Sequence, residues 1–435
     1  MRFRRSALVG ASDWSQRRDW KETAMPAMRK SLAVICLWAL FAAVTPVGAL
    51  GTPPDSVRFA TFNASLNRFS AGQLIADLSS PGNAQADAVA EIIQRTRPDV
   101  LLINEFDFDD QGPGGTSLAA KLFQDNYLSV PHGDVDPIVY PFRFTAPSNT
   151  GIPSGFDLNN DDSVGGPDDA FGFGFFPGQF GMAVFSRFPI DESSVRTFQM
   201  FLWKDMPGAL LPDDPSTPAP ADWYSPAELE IFRLSSKSHW DLPIQIGPMT
   251  VHFLVSHPTP PVFDGPEDRN GTRNHDEIRL WADYQIPSRS GYIVDDEGGS
   301  GGLPPGALFV IAGDQNSDPF DGDSIPGSAQ LLLEHPLVNA PVTPDSEGAV
   351  EQSELQGGAN ETHIGNPAFD TADFSDVTPG NLRADYVLPR RNMRITEAAV
   401  FWPTSDDPLF PLVGTFPFPS SDHRLVWIEV RIPGV

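Results

Sequence analysis

Short apolar runs, separated by Pro, Gly, Asp and Asn, dominate the chain from residue 57 onward. Val57–Phe62, Val100–Ile103, Met182–Phe185, Thr250–Val255, Leu308–Ala312, Tyr386–Leu388, Ala398–Phe401 and Leu425–Ile432 are rich in β-branched and aromatic residues and predict strands. Helical spacing intervenes. Ala86–Arg95 puts Val89, Ile92 and Ile93 on one face and stops before Pro98. Ser117–Phe123, Pro226–Phe232, His275–Tyr284 and Ser328–Leu333 carry shorter versions of the same pattern. The alternation predicts an α/β fold. Three stretches, 107–178, 204–246 and 339–380, lack periodicity, are rich in Pro, Gly, Asp and Asn, and read as loop insertions. Neither a repeat nor a compositional break interrupts the chain, so residues 50–435 are expected to form a single domain.

The first 49 residues read differently. Eight basic residues precede or flank an apolar run, Leu32 to Val44, which leads to small residues ending at Ala49. That order predicts a secretory signal peptide. The run is short for a membrane span of about 20 residues; the alternative is an uncleaved signal anchor. No second long apolar run follows, so no stable membrane anchor is expected. The expected location is extracellular or periplasmic.

Composition narrows the chemistry. The chain has 435 residues, 40% of them hydrophobic, which excludes disorder throughout. Its 44 Pro and 37 Gly exclude a helical bundle. The only cysteine, Cys36, lies in the expected signal peptide, so disulfide, thiolate-zinc and thiol chemistry are excluded after cleavage. The net charge is −28, and without residues 1–49 it becomes −33. That excludes a strongly basic nucleic-acid binder.

Polar residues fall at strand ends. RFATFN ends on Asn63, DVLLINE on Glu105, VHFLVSH on His257, and LFVIAGDQN on Asp314 and Asn316. Asp385 in RADYVLP and Asp422 and His423 in SSDHRLVWIEV stand just before strands. If all meet, the first four strands run toward a common rim and the last two away from it, which requires a mixed sheet.

The pieces TFN (61–63), NE (104–105), SH (256–257), GDQN (313–316), RADYVL (383–388) and SDH (421–423) resemble the endonuclease/exonuclease/phosphatase superfamily of metal-dependent phosphoesterases. The resemblance implies a four-layered α/β sandwich, with two mixed β-sheets packed face to face and helices outside. The chain looks closer to the deoxyribonuclease-like and extracellular nuclease branches than to the abasic-site repair enzymes, which often have an acidic residue where this chain has Ser65. By resemblance, Glu105 ligates a divalent metal, and Asn63 supports metal and phosphate. His257 donates to a phosphate oxygen, and Asp314 and Asn316 position the nucleophile. His423, oriented by Asp385, is general base or phosphate donor, and Asp422 is a metal ligand or outer acid. A phosphoester resists attack because its oxygens are negative, so a cation and neutral or positive donors must hold them. With no cysteine and many carboxylates the catalytic metal should be hard, Mg2+ or Mn2+. Arg269 and Arg273 are the candidate phosphate clamps; the other reading pairs Arg273 and Arg279 with Asp276 and Glu277 around a helix start.

Residues 157–168, DLNNDDSVGGPD, place Asp157, Asn159, Asp161, Ser163 and Asp168 at the ligand positions of a calcium loop, with Asp162 where glycine is usual. A structural Ca2+ is therefore expected. Together these readings point to a secreted phosphoesterase, nuclease-like or phosphatase-like. Its partner is a phosphoester substrate, with extracellular nucleic acid among the candidates; no protein partner is implied. The alternative is a catalytically inactive calcium-binding surface protein on the same scaffold.

Overall fold

The computed structural model describes residues 55–434; the segment expected as a signal peptide lies outside them. The strands are β1 (Val57–Asn63), β2 (Val100–Asn104), β3 (Phe142–Phe144), β4 (Met182–Ser186), β5 (Arg196–Thr197), β6 (His239–Ile246), β7 (Met249–Ser256), β8 (Leu308–Asp314), β9 (Ala372–Asp373), β10 (Asn381–Leu382), β11 (Asp385–Pro389), β12 (Arg394–Val400) and β13 (Val426–Arg431). Two large sheets have the orders β12-β13-β1-β2-β4-β3 and β11-β8-β7-β6-β5, and β9 and β10 form a separate antiparallel pair. Each large sheet contains one parallel pair, β1 with β2 and β7 with β8, among antiparallel neighbours. Both are thus mixed.

Alternation assembles the layers. In β7 and β8, Val251, Phe253, Val255, Val310 and Ala312 face the first sheet in one core. Leu254, Phe309 and Ile311 point the other way, into a second core under the helix Arg269–Tyr284. Phe59 and Phe253 touch across the sheets with ring centroids 5.7 Å apart. The helix Ala84–Thr96 covers the outer face of the first sheet with Val89, Ile92 and Ile93. Asn83 caps its N-terminus by accepting from the Ala86 N–H, and Arg97 ends it in the left-handed region before Pro98. The result is an α/β sandwich of two facing sheets flanked by helices.

All eight strands read from the pattern are present, with ends differing by a few residues. The helix expected at His275–Tyr284 begins earlier, at Arg269. The stretch read as an insertion at 204–246 closes on β6, the central partner of β7. Pro243 hid that strand from the pattern. Its carbonyl oxygen accepts from Asp191 N on the side away from β7, so the missing N–H also faces outward and breaks no β6–β7 bond.

Candidate active site

β1, β2, β7 and β8 deliver Asn63, Glu105, His257 and Asp314 to one rim. β11 starts there, with Asp385 the register partner of Asp314. The segment entering β13 brings Asp422 and His423 to the same place, and His423 bridges to Ala372. Gly313 lets the last turn of β8 close. Its φ is 147°, and a Cβ there would overlap the carbonyl oxygen of Ser256 on β7.

Asp314 is the hub. Its Oδ2 accepts from Asn63 Nδ2 at 3.0 Å, and lies 3.3 Å from His257 Nε2 and 3.7 Å from His423 Nε2. Burial opposes its charge, but His423's charge and the His257 hydrogen bond hold the carboxyl below the ordinary range. Asn316 sits beside it at φ 51°, its N–H donating to Asp314 Oδ1 at 2.8 Å and its Nδ2 to the carbonyl of Pro258. His423 Nδ1 is 2.8 Å from Asp385 Oδ2. Burial opposes protonation of this ring, yet Asp385 and Asp314 raise it well above the usual histidine value. Thr371 fixes Asp385: its hydroxyl donates to Oδ2 at 2.8 Å and accepts from the Asp385 N–H at 3.0 Å. His257 is the opposite case. Burial and the nearby Lys237 ammonium depress it to about 4, so it is neutral at pH 7.

Glu105 holds a different environment. Its carboxylate accepts from Asn67 Nδ2 at 2.7 Å and Asn63 Nδ2 at 3.2 Å, and its backbone is left-handed at φ 58°. Burial and then the Asp422 charge push its carboxyl up. Asp422 itself accepts from Ser65 Oγ at 3.3 Å. Two acids that repel each other, satisfied only by amides and hydroxyls, fit a hard divalent cation. Among the described residues Asp314, Asp385 and His423 also offer one ligand atom each within 4.8 Å of one another.

The arginines expected as clamps are used elsewhere. Arg273 is buried and donates to the carbonyls of Leu234, Phe171 and Arg233 rather than to Asp276 or Glu277, whereas Arg279 does lie 3.9 Å from Asp276. Arg269 pairs with Glu267 and lies 5.7 Å from the Trp223 ring centre, on the wall of the cleft. Glu277 accepts from the N–H groups of Ser236 and Thr259, binding two active-site loops to the helix Arg269–Tyr284. The expected calcium loop borders the same cleft, where Leu158 and Asp168 form part of the lining. Asp157 and Asn159 both accept from the Asp161 N–H, and Asp162 has φ 66° as the glycine position demands. Asp168 instead lines the cleft, and the loop closes on Asp169, which accepts from Leu158 and Gly165.

Sequence reasoning missed Lys237. It is buried in the cleft wall, and its one hydrogen bond, to the Pro258 carbonyl, is 3.4 Å long. Burial pushes its pKa down despite Glu277, Glu105 and Asp314 nearby. The signal was faint: a lone lysine in SSKSHW, just ahead of the unseen strand. Arg424 was missed too. It is fully buried, donates to Asp373 at 3.0 Å, and stacks 4.3 Å from the Trp402 ring centre, holding the SDH turn.

The convergence of acids, amides and two histidines at the rim of a double-sheet sandwich defines a phosphoesterase-type site. The profile of the Endonuclease/Exonuclease/phosphatase family matches residues 60–423, and the chain belongs to that family. Its members are hydrolases that act on phosphoesters. Similar solved structures include an endonuclease/exonuclease/phosphatase from Beutenbergia cavernae, at 16% identity and TM-score 0.47, covering 88% of this chain and 72% of that one. Sphingomyelinase C from Streptomyces griseocarneus aligns at 15% identity and TM-score 0.42, covering 86% and 99%. TDP2 from Caenorhabditis elegans aligns at 14% and 0.38, covering 87% and 74%. No match was found among the curated proteins. No helix of the described residues is long and apolar enough to cross a membrane.

Proposed function

We propose that the chain is an exported, divalent-cation-dependent phosphoesterase that hydrolyses its substrate by in-line attack of water. The observation that carries this is the hub at Asp314, where Asn63, His257 and the Asp385–His423 pair meet beside Glu105. Glu105 and Asp422 are the donors for Mg2+ or Mn2+, because His423 holds a proton and turns Nδ1 to Asp385. Bound there, the cation supplies charge stabilisation to the phosphate oxygens.

The chain's own groups do the rest. Ionised Asp314 orients the attacking water, and Asn63 and neutral His257 hold Asp314 in place. Water adds to phosphorus, the ester P–O bond breaks, and the leaving oxygen takes its proton from His423. The water's proton passes to Asp314 and from there back to His423 Nε2, 3.7 Å away, once the alcohol has left; Asp385 stabilises the imidazolium before His423 gives up its proton and after it regains it. Buried Lys237 contributes positive charge to the phosphate.

The test is a panel of phosphodiesters, phosphomonoesters, plasmid DNA and RNA with Mg2+, Mn2+ or Ca2+ against EDTA. Hydrolysis that chelation abolishes and one of these ions restores is the expected result. Undiminished hydrolysis in EDTA after dialysis would overturn it.

A further inference from the structure

The catalytic groups lie in a cleft of about 950 Å³ whose upper wall is aromatic. His257, Asp314 and His423 are buried at its floor, whereas Phe263 at its mouth is 86% exposed and Phe173 is 50% exposed. Phe173 stands 6.4 Å from Phe180 between ring centres. Two of these rings are held in strained backbone. Phe180 has φ 55° and Phe263 has φ 67°, a region that bulky residues rarely enter. An exposed ring on a strained backbone gains little from folding, so its placement points to a role in binding.

Charge in the cleft points the same way. Its cationic lining is Lys237, Arg269 and Arg273. Arg273 is bound to backbone carbonyls and Arg269 to Glu267, which leaves Lys237. Asp168, Asp318 and Asp323 line the same cleft. A polynucleotide would carry several phosphates past these acids without countercharges, whereas its affinity normally comes from such neutralisation. One phosphate beside Lys237 meets no such obstacle.

We propose that the cleft takes a small phosphodiester bearing one apolar ester group, which Phe173, Phe180 and Phe263 hold while its phosphoryl group lies at Asp314 and His423. This rests on the phosphoesterase reading above. Burial of each methylene against these rings raises kcat/KM by up to about fourfold until the wall is filled.

The experiment uses 4-nitrophenyl methyl, butyl and octyl phosphates below their micellar concentrations, and a single-stranded oligonucleotide, with Mg2+, Mn2+ or Ca2+. The expected result is at least a fiftyfold rise in kcat/KM from methyl to octyl, with the oligonucleotide slower than the octyl ester. Phe263→Gly relieves the strained backbone, so its Tm stays equal or rises, while the methyl-to-octyl ratio falls several-fold. Phe173→Ser lowers the same ratio independently. Hydrolysis with a flat chain-length series, a faster oligonucleotide, or ratios unchanged in both variants overturns the proposal and leaves the phosphoesterase reading standing. Failure of every ester with all three ions overturns both.

Discussion

Two carboxylates, Asp385 at 2.8 Å and Asp314 at 3.7 Å, face the two ring nitrogens of His423 and raise it well above the usual histidine value. General acid–base help is worth about 10²–10⁴ in rate. His423→Ala is therefore expected to lower kcat at least a hundredfold in a folded protein. Asp385→Asn should lower it nearly as much, since an amide cannot stabilise imidazolium. The double variant should be little worse than the worse single one, because the pair acts as a unit. Kinetics with melting curves on all three check this, and strictly additive losses would rule out the pair. Lys237 gives an opposite split between activity and stability. Its ammonium is buried without an ion pair inside 4.0 Å among the described residues, so it destabilises the fold. Lys237→Met should raise or hold Tm while lowering kcat/KM about ten- to a hundredfold. A lower Tm with unchanged kcat/KM would make the lysine structural.

At the level of elements, the loop 157–168 is the calcium site expected from the sequence. A ligand at a hundredfold excess over its Kd stabilises the fold by about 2.7 kcal/mol. Calcium should raise Tm in the wild type, and Asp161→Ala, which loses the carboxylate that accepts from Ser163, should remove most of that rise. Equal responses by both proteins would place calcium elsewhere. Legibility also divides by element. The buried strands announced themselves because each is a continuous apolar run ended by a polar residue, and that ending gave Asn63, Glu105, His257 and Asp314. β6 was hidden by Pro243, and with it the lysine two residues ahead of the strand. In the helix Arg269–Tyr284 the charges of Arg273, Asp276 and Glu277 read as a phosphate clamp or as ion pairs with one another. Each is buried, its polar atoms bonded to loop backbone that the local sequence does not reveal.

For the whole molecule, acidity has a price in alkali. Asp370 is 7% exposed and is pushed up to about 9 by burial and by Asp318 and Asp321. The folded form thus binds a proton that the unfolded form has released above about pH 4, and stability falls as pH rises from there toward 9. Asp370→Asn should therefore raise Tm, more at pH 8.5 than at pH 5. Melting curves of both proteins across that range check the sign; a gain confined to acid would contradict it.

The first and last strands share one ladder, with Val57 opposite Val430 and Thr61 opposite Val426. His423 reaches the rim only on the segment that enters the last strand. A polypeptide cut short by a premature stop codon or a protease before Ser421 would lack the histidine and leave β1 an open edge. The strand that completes the ladder beside β1 therefore also carries in the segment that brings Asp422 and His423 to the rim. Closure of the first sheet and assembly of the rim are thus one event, and neither is complete without the other.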